Sequence, residues 1–92
     1  MKRNATIEYW NIDFNDDTAR FSIEDDAENA SIIVDVVINQ EPERHTCSVK
    51  RVIDCWYLAD ETDKVERTSI SDSEVKTISE ILQNEYDKYL GK

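Results

Sequence analysis

The 92-residue chain has one glycine, one proline, one histidine, one methionine and two cysteines, and each scarcity removes a class of function. One glycine cannot build the Gly-rich loops whose bare backbone cradles phosphates. The only imidazole, His45, lies between Arg44 and Thr46 with no activated nucleophile near it in sequence. It reads as a surface residue rather than a general base. His45, Cys47 and Cys55 offer at most three zinc ligands, at unsuitable spacing. The chain is therefore expected to be no enzyme and to hold no cofactor or metal.

Cys47 and Cys55 are eight positions apart. In one strand that separation spans about 26 Å, at ~3.3 Å per residue. In one helix it spans about 12 Å, at ~1.5 Å per residue. Both exceed the ~7 Å that a disulfide tolerates between Cα atoms, so reduced, apolar cysteines are expected. No apolar run approaches the ~18 residues of a membrane span. The segment MKRNATIEYW lacks a signal peptide's apolar core. A cytoplasmic protein is the expectation.

Basic residues are also in deficit: Lys and Arg number 11 against 21 Asp and Glu, a net charge of −10. No single tail carries it. Acids outnumber bases 8 to 3 in residues 1–30, 5 to 3 in 31–60 and 8 to 5 in 61–92. Such a surface repels phosphates and anionic membranes, so neither direct nucleic-acid binding nor membrane binding is expected. It suits a basic protein partner.

What the chain does contain reads as one domain, 1–92. Residues 71–90 carry every sign of a helix. Ser71 and Glu74 have capping-box spacing, and Val75, Ile78, Leu82, Tyr86 and Tyr89 recur every three or four positions. Gly91 stands where a left-handed terminator belongs. The outer face of this helix is read as Lys76, Glu80, Gln83 and Asp87.

Ahead of it, residues 4–14 read as a strand whose apolar phase slips, Ile7 and Tyr9 on one face and Trp10, Ile12 and Phe14 on the other. A bulge near Tyr9–Trp10 reconciles them. Residues 18–24 alternate cleanly, and residues 31–39 are β-branched and apolar on both faces. Residues 46–59 fit either a strand or a helix; β-branched and aromatic residues favour the strand, joined by a hairpin to residues 64–70. The expected fold is α+β: an antiparallel meander of four to five strands with one C-terminal helix packed on one face.

Asp13, Asn15, Asp17 and Glu24 occupy positions 1, 3, 5 and 12 of a calcium-binding EF-hand loop. Thr18 replaces the glycine such a loop needs, and the flanks read as strands, so a solvated hairpin turn is expected. In a meander the second and fourth connections leave one end of the sheet, bringing Asp25, Asp26 and Glu28 together with Asp60, Glu61 and Asp63. The other end carries Asp16, Asp17, Glu41 and Glu43. Trp10 and Trp56 lie off the main apolar phase of their strands. One is expected under the helix, with the other exposed as an interface anchor.

The acidic clusters DFNDD (13–17), EDDAE (24–28) and DETD (60–63) on a compact chain resemble the small accessory proteins with which bacteriophages disable host defences, anti-CRISPR proteins among them. The resemblance is one of type and carries over no residue. It implies a stoichiometric inhibitor that occupies a basic nucleic-acid-binding surface of a host complex. Partner contacts are then expected from Asp16, Asp17, Asp25, Asp26, Glu28, Asp60, Glu61 and Asp63, with Trp10 and Trp56. The alternative is a structural or regulatory subunit, dimeric through a strand edge or a Tyr86/Tyr89 face.

Overall fold

The computed structural model describes residues 5–25, 30–58 and 66–91. Five antiparallel strands pair in sequence order: β1 (Ala5–Asp13), β2 (Thr18–Asp25), β3 (Ala30–Glu41), β4 (Thr46–Leu58) and β5 (Glu66–Arg67). One helix, α1 (Asp72–Tyr89), follows and packs on β4 and β1. This is the α+β meander expected. Residues 46–58 are strand, not helix. Within 64–70 only Glu66–Arg67 is strand among the described residues. None of the described helical residues forms a span long and apolar enough to cross a membrane.

The register explains the apolar patterns. Tyr9 pairs with Phe21 and Asn11 with Arg20, leaving Trp10 as the extra residue of a bulge. The slip returns Ile12 to the side of Ala19, so that Ile7, Ile12 and Phe14 all pack against one core. That core is built from Phe21, Ile23, Ile32, Val34, Val36 and Ile38 on the sheet and Ile78, Leu82 and Tyr86 on the helix. Burying each such side chain stabilises the fold by about 1.5–3 kcal/mol. Cys47 and Cys55 are buried in the same cluster and form no disulfide.

Both described turns end without glycine. In residues 14–17, Asp13 Oδ1 accepts the Asn15 and Asp16 amides at 2.9 and 3.1 Å, and Asp17 takes φ 58°. In residues 42–45, Arg44 N–H donates to Glu41 C=O, and His45 takes φ 56°. Asp and His are among the few side chains that tolerate this left-handed conformation.

The helix begins with the capping box read from the sequence. Ser71 Oγ accepts the Glu74 amide at 3.3 Å, and Glu74 Oε1 accepts the Ser71 amide at 2.8 Å. Gly91 follows its end at φ 78°. One expectation fails: Gln83 does not face outward. Its Oε1 accepts the Cys47 amide at 3.0 Å and its Nε2 donates to His45 C=O at 2.8 Å. One turn earlier, Ser79 Oγ accepts the Val49 amide at 3.1 Å. Four helical residues rise about 6 Å, and two strand residues advance about 6.7 Å. Ser79 and Gln83 are thus spaced to meet alternate amides of β4 and to stand in for a missing neighbour strand.

Candidate protein-binding surface

Three acidic segments converge at one end of the molecule. The first is the β1–β2 turn with Asp13, Asp16 and Asp17. The second is the β3–β4 turn, flanked by Glu41 and containing Glu43. The third is the C-terminal turn of α1, which carries Asp87.

Local contacts fix these segments against one another. Gln40 Nε2 donates to both Phe14 C=O and Asp17 Oδ1 at 2.6 Å, tying the two turns together. Asp17 C=O accepts the Ile38 amide at 2.9 Å. The Phe14 ring lies 5.4 Å from Tyr86 and 4.6 Å from Tyr89, which joins the first turn to the helix end. Gln83 joins the helix to the second turn through His45, and also donates to Asp87 Oδ1 at 3.0 Å.

The resulting field is negative. Asp16 and Glu43 are exposed, and their carboxylates make no ion pair among the described residues. Glu41 accepts from Asn39 at 3.3 Å and pairs loosely with Arg44 at 3.6 Å. Lys88 turns to Glu85 at 3.4 Å rather than to Asp87. The C-terminal end of a helix contributes roughly half a negative charge more. The field also reaches inward. Burial foremost, with the charge of Asp17 second, pushes the Cys47 thiol up to about 11. Burial likewise raises the Tyr86 phenol, aided by Cys47, Tyr89 and Asp17.

Sequence reasoning placed Asp16, Asp17, Glu41 and Glu43 at one end, and the structure brings them together there. It missed Asp87, which it assigned to the helix's outer face. The antiparallel return of the chain adds Asp87 to the cluster. At the opposite end, Asp25, Ala30 and Leu58 mark where the strands stop. Asp26, Glu28, Asp60, Glu61 and Asp63 lie outside the described residues, and of Asp25 the structure gives the backbone, paired with Ala5 and Ala30.

Of the two tryptophans, one is exposed as expected, but neither lies under the helix. Trp10 sits in the β1 bulge, 54% exposed. Trp56 lies on the sheet face opposite α1, half-buried, with the Arg20 guanidinium 5.4 Å from its ring centre. Arg20 also makes a forked pair to Asp35, at 2.7 and 3.0 Å. Asp35 stands directly opposite Asp54, and Arg67 lies 3.6 Å from Asp54. This face alternates charges and neutralises itself, so Trp56 is no exposed anchor. Ile33, 2% exposed, is buried there between Ser22 and Trp56 in the register.

Residues 14–17 form the hairpin turn expected of them, not a calcium-binding loop. Asp13 spends one carboxylate oxygen on turn amides, Asp17 is held by Gln40, and Glu24 lies far along β2, opposite Ser31. Six residues of strand from Thr18 put it about 20 Å away, at ~3.3 Å per residue. No group of metal-ligating side chains occurs among the described residues. No protein-family model, curated protein or solved structure matches the chain.

Proposed function

We propose that this chain is a protein-binding inhibitor that occupies a basic, nucleic-acid-binding surface of a larger complex, as phage anti-defence proteins of the anti-CRISPR type do. It acts by occupancy and charge, without catalysis. The observation that carries the reading is the acidic end, where Asp13, Asp16, Asp17, Glu41, Glu43 and Asp87 meet the helix C-terminus, with Arg44 loosely paired to Glu41 and Lys88 turned to Glu85.

Magnitudes set the scale of the mimicry. The molecule is 44 Å long and carries a net −10. A duplex of that length carries about 26 phosphate charges, and a single strand about 13. The chain falls well short of a duplex and comes near one strand. It therefore competes best for a groove that reads a few phosphates, gaining steering and charge-assisted pairing from arginines and lysines.

A homodimeric subunit is the second reading, supported by the outer edge of β1, which pairs with no strand among the described residues. A charge of −10 on each copy opposes it, and Tyr86, at 1% exposure, contributes no dimer face.

Immobilised chain exposed to bacterial lysate tests the proposal. The expected result is retention of nucleic-acid-binding proteins that elute steeply with salt and are displaced by added oligonucleotide. Retained proteins indifferent to both would overturn it.

A further inference from the structure

The two edges of the sheet are finished differently. Along β4, Gln83 and Ser79 satisfy the Cys47 and Val49 amides, and Cys55 C=O accepts the Thr68 amide at 3.0 Å beside β5. Between those stretches, Lys50 and Ile53 are extra residues of two bulges, and Lys50 and Arg51 add charge. Bulges and edge cations are devices that keep a strand from pairing with strangers.

Among the described residues the outer edge of β1 has a single bulge and no covering side chain from another element like Gln83 or Ser79. Among the described residues no strand lies beside it, and Ala5–Asp13 contains no Lys, Arg or Pro. Ala5 to Tyr9 pairs regularly with β2, which leaves its other side as a flat row of backbone donors and acceptors. Two aromatic side chains stand at the end of that row, Tyr9 at 46% and Trp10 at 54% exposure.

We infer that this edge receives an extended segment of the partner as an added strand, and that the segment carries lysine or arginine. The inference rests on the partner being basic, as proposed above, and names how it is held. Backbone pairing supplies the contact and alternate side chains the selectivity. Glu8 on β1, and Glu24 directly opposite Thr6 on β2, give the edge its negative charge. Tyr9 and Trp10 offer ring faces to the incoming cations. A second copy of this chain fits worse, because it brings its own Glu8 and Asp13 and a further −10.

The test is an amide NMR titration with a peptide alternating lysine with valine and threonine, about eight residues long to match the edge. A second peptide has the same charge and N-methyl groups at alternate positions, which removes the donors of one edge. Saturable shifts and slowed hydrogen exchange in residues 5–13 are expected. N-methylation should weaken binding at least tenfold, and Trp10→Ala, at an exposed site that leaves the core intact, should weaken it severalfold. Shifts confined to residues 13–17 and 41–44, unchanged by N-methylation, overturn the edge while leaving the acidic end standing. Absence of any shift, or concentration-dependent shifts of β1 in the chain alone, overturns it as well. If instead the acidic end is wrong and the edge right, residues 5–13 still respond, and reversing Asp16 and Glu43 leaves partner capture unchanged.

Discussion

Gln83 on the helix holds Cys47 on the sheet: its Oε1 accepts the Cys47 amide at 3.0 Å, while its Nε2 reaches His45 C=O at 2.8 Å. A single side chain thus satisfies two backbone groups at the edge of β4 and fixes the helix to the acidic end. Gln83→Met keeps the volume and removes both bonds. Losing the two bonds should cost about 1–3 kcal/mol. Ser79→Ala should cost less, about 1 kcal/mol, since one amide is affected. Urea titration checks this: the midpoint should fall with the slope unchanged. Exchange of the Cys47 amide should accelerate in the Gln83 variant alone.

Cys47 gives the fold an alkaline limit. The thiol ordinarily titrates near 9.0 and is pushed up to about 11 in the folded chain, by burial first and Asp17 second. Between those values the unfolded chain loses its proton before the folded one does. Stability is therefore full below pH 9 and falls as pH rises towards 11, by at most about 1.4 kcal/mol per pH unit. Cys47→Ala should flatten the stability profile across that window. At pH 8 the native thiol should react with a disulfide reagent far more slowly than the unfolded one. Fast native reaction, or an unchanged profile in the variant, contradicts this.

Arg20 and Asp35 are unequal partners. Removing Asp35 loses the forked pair but also ends its opposition to Asp54. Removing Arg20 loses the pair and leaves two carboxylates facing each other. Arg20→Ala should therefore cost more than Asp35→Asn, by about 0.2–1 kcal/mol, the usual size of a directly opposed charge pair. A double-mutant cycle should return a coupling of about 0.5–1 kcal/mol that shrinks with salt, as partly exposed pairs do. In a Trp10→Phe background, Arg20→Ala should also shift Trp56 fluorescence to the red by uncovering its ring.

Strand periodicity carried most of the fold. The alternation in 18–24 and the slip at Tyr9–Trp10 were legible because a strand has period two, and one extra residue reverses it visibly. The β4 bulges were not legible for the same reason. Lys50 and Ile53 are two insertions, and two insertions restore the parity, so Cys47, Val49, Cys55 and Tyr57 still read in phase. Strict alternation puts Arg51 and Ile53 in phase with Cys47 and Cys55, whereas Val52 holds the core-side register opposite Val36. Gln83 was misplaced because polarity alone assigns a residue to the outer face. Ser79 and Gln83, four apart beside the apolar stripe, are the pattern that marks a helix bonding to a strand edge. Asp16, Asp17, Glu41 and Glu43 of the acidic end were legible from the meander. Asp87 was not, because its position depends on where the helix finishes over the sheet.

The central claim is that the acidic end binds a basic surface, and Asp16 and Glu43 test it without disturbing the fold, since their carboxylates are exposed and make no ion pair among the described residues. The decisive measurement is the affinity of Asp16→Lys/Glu43→Lys, against the parent chain, for the protein captured from lysate, across a series of salt concentrations. The reversal should weaken binding at least tenfold at low salt and make the salt dependence shallower. Equal affinity with an equal salt slope would contradict the claim.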